Sequence, residues 1–125
     1  MFEVCIDVES AEKAVAFYQA IGLRLVKSEP GWAKMADGET VFWIMEMPFG
    51  SSASPESEIP RAYQRHWTPV HLDFVVADLD ATMQRVRAAG GTMEGAIQER
   101  PGGGRLANLV DPSGNGVDLV QRPSK

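Results

Sequence analysis

The run His71-Leu72-Asp73-Phe74-Val75-Val76-Ala77-Asp78, carried on through Thr82-Met83-Gln84-Arg85-Val86 to Gly90, decides how this chain folds, because its pattern occurs twice. Read 68 residues earlier, it is Glu3-Val4-Cys5-Ile6-Asp7-Val8-Glu9-Ser10, then Ala14-Val15-Ala16-Phe17-Tyr18, then Gly22. Each copy opens on alternating residues, the period of a half-buried strand. Glu3, Cys5 and Asp7 share one face against Phe2, Val4, Ile6 and Val8; His71 and Asp73 likewise oppose Leu72, Phe74 and Val76. A residue that caps helices follows, Ser10 or Asp78. Apolar residues then recur at helical spacing: Ala11, Ala14, Val15, Tyr18 and Ile21, or Leu79, Met83, Val86 and Ala89. Each helix closes on a glycine suited to the left-handed position, Gly22 or Gly90.

Three strand-like stretches follow each helix. In the first unit they are Leu23–Ser28, Trp32–Met35 and Thr40–Met47, with an Asp37-Gly38 turn; in the second, Thr92–Gln98, Arg105–Asp111 and Gly116–Gln121. The run Asp111-Pro112-Ser113-Gly114-Asn115 joins the last two and consists of turn formers. Three consecutive strands after a helix exclude a doubly wound parallel sheet and predict an α+β fold. The expected organisation is one domain: module one over residues 1–48, a linker over 49–68 with a helical turn near Ile59–Gln64, and module two over 69–125.

Hydrophobic residues make up 44% of the 125 and charged residues 23%, enough to build an ordinary core without staples. The single cysteine, Cys5, excludes an internal disulfide framework. No apolar run approaches the roughly 20 residues of a membrane span. The start, Met1-Phe2-Glu3, lacks a basic stretch followed by an apolar one, so a cytoplasmic protein is expected. Net charge is −5 with scattered basic residues, which argues against nucleic-acid binding and predicts a preference for cationic over anionic ligands.

Three phrases carry a family resemblance: Val70–Gly91; the tail from Gly104 through Asp111-Pro112-Ser113-Gly114-Asn115 to Asp118 and Leu119; and Ala16-Phe17-Tyr18 with Gly22-Leu23. Together they resemble the glyoxalase/bleomycin-resistance/extradiol dioxygenase (vicinal oxygen chelate) superfamily over nearly the whole chain. The resemblance implies two βαβββ modules forming a cupped, mostly antiparallel eight-stranded sheet around a small-molecule cavity. It also implies a homodimer, with Trp67 and the linker at the contact. Its reaction stays open, because such folds host isomerases, dioxygenases, thiol transferases and non-catalytic drug binders.

Carried over residue by residue, the family's metal positions fall on Glu3, Glu46, His71 and Asp118, with Glu46 and Asp118, 72 apart, as equivalents. The family usually has His or Gln where Glu3 stands and Glu where Asp118 stands. Three carboxylates and one imidazole favour a hard ion, Mn²⁺, Fe²⁺ or Mg²⁺. A displaced carboxylate, Glu46 or Asp118, then serves as the proton shuttle. Cys5, Asp7, Asp73, Phe42 and Arg105 complete the expected cavity. Each has a plainer reading: Cys5 as an inert buried thiol, Asp73 as orienting His71 or pairing with Arg105, Glu3 as a solvated strand end, and Phe42, with Trp32, Trp43 and Trp67, as core or interface. His71 itself reads as a ligand, a general base or a hydrogen-bonded strand residue. Two functions stay open: a metal-dependent lyase or dioxygenase, and a metal-free protein sequestering a small aromatic drug or metabolite. No basic cluster suited to the glutathione carboxylates stands out.

Overall fold

Both copies of the repeat fold alike in the computed structural model, which describes residues 1–124. Lys125, the end of the expected second module, lies outside them. The first unit is β1 (Glu3–Val8), α1 (Ala11–Ile21), β2 (Arg24–Glu29), β3 (Trp32–Asp37) and β4 (Thr40–Glu46). The second is β5 (Leu72–Val75), α2 (Leu79–Ala88), β6 (Thr92–Met93), β7 (Gln98–Glu99), β8 (Arg105–Val110) and β9 (Gly116–Gln121). Ser10 and Asp78 cap the helices as expected, accepting from the backbone N–H groups of Lys13 and Ala81. Gly22, at φ 129°, and Gly90, at φ 91°, end them in conformations side chains disfavour. No helix among the described residues is long and apolar enough to cross a membrane.

The sheets share a topology. The first runs β1-β4-β3-β2 and the second β5-β9-β8-β6, with β7 also paired to β8. Each has one parallel pair, β1 with β4 and β5 with β9; the other pairings are antiparallel. The strand expected over Thr92–Gln98 is broken into β6 and β7, separated by a segment containing Gly95 at φ 78°. The linker forms no helical turn. Instead, Ser52 bridges to Pro60, and Arg61 lies across the first sheet, its Nε 2.7 Å from Asp7 Oδ2.

Inner faces of both sheets and both helices merge in one apolar cluster. Ala33, Met35, Phe42 and Ile44 come from the first sheet; Ala107, Leu109, Val117 and Leu119 from the second; Phe17, Tyr18, Leu79, Met83 and Val86 from the helices. Phe42 is therefore a core residue, the plainer of its two readings, 3% exposed, with its ring 4.8 Å from Tyr18 and 6.1 Å from Phe74. The turn Asp111–Asn115 fastens one module to the other. Asp111 accepts from Tyr18 Oη at 2.8 Å, Ser113 Oγ accepts from Glu9 N at 2.9 Å, and Asn115 Nδ2 donates to the Asp7 carbonyl at 3.2 Å. Asp111 and Ser113 are buried, and these bonds satisfy them.

Register corrects one expected equivalence. Val4 lies opposite Phe42 and Leu72 opposite Val117, so residues 68 apart on the first strands face residues 75 apart on the last. Asp118 therefore matches Trp43, and Glu46 matches Gln121. The caps agree: Glu46 Oε2 accepts from Ala11 N at 2.9 Å, and Gln121 Oε1 accepts from Leu79 N at 2.7 Å. The spacing of 72 failed because the second unit has a longer β8–β9 hairpin and extra residues before β8.

Candidate functional site

Alternation along the second sheet sends Ala107, Leu109, Val117 and Leu119 into the core and leaves Asp73, Asn108 and Asp118 on the opposite, open face. Asp118 on β9 is flanked by Asp73 on β5 and Asn108 on β8. His71, just before β5, turns onto the same face: its Nδ1 lies 2.8 Å from Asp73 Oδ1 and 3.1 Å from Asp118 Oδ2. Asn108 Nδ2 donates to Asp118 Oδ1 at 2.6 Å, and Gln98 Nε2 donates to Asn108 Oδ1 at 2.8 Å. Asp118 is thus gripped from the sheet side, its side chain 15% exposed against 65% for His71 and 46% for Asp73.

The electrostatics follow from this crowding. The hydrogen bond and charge of Asp73, then the charge of Asp118, raise the His71 pKa above its ordinary 6.5. Burial first, and then Asp73 beside it, raise that of Asp118, against the hydrogen bond from Asn108. Two carboxylates this close repel, which favours a proton on one of them or on His71. A divalent ion fits the same place. One atom from each of His71, Asp73 and Asp118 lies within 4.8 Å of the others, and among the described residues no other such group converges. One imidazole and two carboxylates are donors suited to Mn²⁺ or Fe²⁺, and three protein donors leave positions for water or substrate.

Glu3 and Glu46 do not join this group. Glu3 Oε2 accepts from Trp43 Nε1 at 3.0 Å on the first sheet. Because Glu3 matches His71 and Trp43 matches Asp118, that contact is the first module's counterpart of the His71–Asp118 pair, with tryptophan in place of the carboxylate. Glu46 caps α1, which removes it as the proton shuttle. Arg105 lines the cavity beside this group as expected, but its guanidinium reaches Asp80 on α2 (2.8 Å) and Glu99 (3.2 Å), so the pairing with Asp73 does not hold. Cys5 does lie on the open face but is exposed, not buried. Loss of hydration beside the neighbouring strand, and then the charge of Asp7, raise its thiol pKa, which keeps it a poor nucleophile. Asp7 is engaged by Arg61.

Sequence reasoning missed Asn108 and Gln98. The β8–β9 hairpin carried a signal for Asn108: pairing its strands across Asp111–Asn115 sets Asn108 opposite Asp118. A cavity of about 380 Å³ adjoins the cluster, walled partly by the Arg100–Gly104 loop. A second, mainly apolar cleft of about 310 Å³ lies between the modules, lined by Val4, Ile6, Tyr18 and Leu72 among others.

Residues 3–120 match the family model described as a glyoxalase-like domain. The anthracycline biosynthesis protein DnrV of Streptomyces peucetius is 32% identical over 105 residues, 84% of this chain and 35% of that protein. The chain thus spans about a third of the length of this curated relative. A glyoxalase family protein from Bacillus cereus superposes with a TM-score of 0.76 at 20% identity, over 99% of this chain and 94% of that one. The fosfomycin resistance protein FosX from Listeria monocytogenes, solved with Mn(II) and 1S,2S-dihydroxypropylphosphonic acid, does so at 0.68 and 20% identity, over 95% and 86%. At such identities these two structures speak for the fold alone.

Proposed function

Because the chain belongs to the glyoxalase-like family, we propose that it is a divalent-metal-dependent enzyme acting on a small molecule with two neighbouring oxygens. The observation that carries this reading is His71 Nδ1 set 2.8 Å from Asp73 and 3.1 Å from Asp118 on an open sheet face beside a cavity. The FosX relative, solved with Mn(II), makes the same class of ion the first to try. When bound, the ion supplies a Lewis acid that draws electron density from the substrate oxygens.

The chain's own groups do the rest. Asn108 holds Asp118 at a fixed angle, so that carboxylate is presented without rotamer search. Asp73, the more exposed carboxylate, is the group able to take a proton from a substrate carbon or hydroxyl. His71 must give up its own proton before its Nδ1 can coordinate, so ion affinity rises as pH passes through its raised pKa.

Melting of the protein with and without Mn²⁺, Fe²⁺ or Mg²⁺ tests this. An ion that binds only the folded chain raises the melting temperature by mass action. His71→Ala and Asp118→Ala should each abolish the rise. Melting that ignores every one of these ions overturns the reading.

The apolar cleft between the modules favours a second reading, a protein that sequesters an apolar small molecule without an ion. Ligand affinity indifferent to chelator and to His71→Ala would select it. A homodimer suits either reading. Trp67 is 79% exposed, with Phe2 and Val70 exposed nearby on the cleft, and β1 and β5 are free sheet edges. Light scattering should return twice the chain mass. An exposed, unpaired cysteine suits a reducing, cytoplasmic setting.

A further inference from the structure

We infer that the cavity beside His71, Asp73 and Asp118 takes an anionic small molecule whose negative group is held by Arg100 and Arg122. Three arginines line this space of about 380 Å³ together with the His71 cluster. One is already committed: Arg105 is paired to Asp80 and Glu99. Arg100 and Arg122 are exposed and form no ion pair among the described residues.

The fold brings these two together from separate segments. Arg100 opens the hairpin tip between β7 and β8, closed by its N–H to the Gly104 carbonyl at 2.7 Å and by Gly103 N to its own carbonyl at 3.1 Å. Arg122 follows β9. The next residue, Pro123, lies against that tip, close enough that a Cβ added at Gly104 would meet its ring at 3.5 Å. The tail carrying one arginine thus buttresses the loop carrying the other.

Charge counting gives the sign of the ligand. Asp73 and Asp118 contribute two negative charges, and both are engaged with the His71 imidazole. Arg100 and Arg122 contribute two positive charges that no carboxylate pairs among the described residues, so the unmatched charge on the cavity wall is positive although the whole chain carries −5. Guanidinium groups match the planar oxygen pairs of carboxylates and the oxygens of phosphate or phosphonate. The ligand class is therefore an acid, reversing the preference that net charge alone predicts. Only the other half of the ligand, the neighbouring oxygens, rests on the proposed function.

Calorimetric titration with catechol and with 3,4-dihydroxybenzoate separates the two halves, because the pair shares its vicinal oxygens and differs by one carboxylate. Each is measured with Mn²⁺ and with EDTA on the native chain, Arg100→Gln, Arg122→Gln and the double variant. The acid should bind the native chain about tenfold more tightly than catechol, the size expected of a charge-assisted contact. The double variant should bind both equally, with catechol affinity unchanged. Equal binding by the native chain, a carboxylate preference that survives in the double variant, or no binding of the acid in either condition overturns the inference. Catechol binding indifferent to Mn²⁺ counts against the metal instead, while the carboxylate preference read in EDTA still decides this inference.

Discussion

His71 is the residue on which the site's chemistry turns, and its protonation is directly measurable. With Asp73 and Asp118 beside it, its pKa stands above 6.5 in the free protein. A folded-state pKa raised above the unfolded one contributes stability below the unfolded value, and that contribution is lost as pH rises through the folded value. The metal-free native chain should therefore lose melting temperature relative to His71→Ala between about pH 6 and pH 8. Asp118 does not offset this, because a carboxylate whose folded pKa is raised also loses stability as pH rises. Asp73→Asn, which removes the first cause of the shift, should bring the His71 NMR titration midpoint down toward 6.5. A midpoint that stays put would mean that Asp73 does not hold the ring. The sequence could identify His71 and Asp73 as sharing a face and, through the family resemblance, set Asp118 with His71; Asn108 was legible only from the pairing of β8 with β9.

Among the elements, the last strand of each module shows where pattern reading went astray. Glu46 interrupts the apolar run of β4, and the family resemblance sets it among the metal positions. Strand parity instead puts it on the face of Phe42 and Ile44, and at the sheet's end that face meets the first turn of α1. Glu46→Gln keeps an acceptor, as Gln121 does for α2, and should leave stability and ion binding near native. Glu46→Ala and Gln121→Ala should each cost about 1 kcal/mol, the usual loss of a helix cap. Denaturant melts check both; loss of ion binding in Glu46→Gln would return Glu46 to the site. Gly91 is a second constraint at this scale. A Cβ there would stand 2.5 Å from Phe17 and from Val86, so Gly91→Ala should cost about 1–3 kcal/mol by overpacking the α1–α2 contact.

In the whole molecule, the modules are joined by a continuous core and by the Asp111–Asn115 turn. Asp111 accepts four hydrogen bonds: from Tyr18 Oη, the Ser113 and Asn115 backbone, and Asn115 Nδ2. Asp111→Ala leaves the Tyr18 hydroxyl unmatched across the module boundary and three donors unmatched within the turn, and should cost about 3 kcal/mol or more; Tyr18→Phe removes one donor and should cost about 1 kcal/mol. Both modules should unfold in one transition, seen as coincident near-UV and far-UV melts. Separate transitions would mean that turn and core do not couple them.

The sequence by itself determined the repeat, the strand–helix–three-strand order and both helix caps, because periodicity and capping act within a few residues of themselves. It also marked His71, Asp73 and Asp118. Register across strands was beyond it: an offset of 68 on first strands becomes 75 on last ones through a longer hairpin and an insertion, and nothing local records which residue faces which. Only the tertiary structure could turn Glu46 from an expected ligand into a cap, set Trp43 where the second module has Asp118, and set Asn108 behind Asp118. The same holds for the arginines. Scattered along an acidic chain, Arg100 and Arg122 looked unremarkable, and they meet because the β7–β8 loop and the tail after β9 pack on each other, a contact between segments that have no pattern in common.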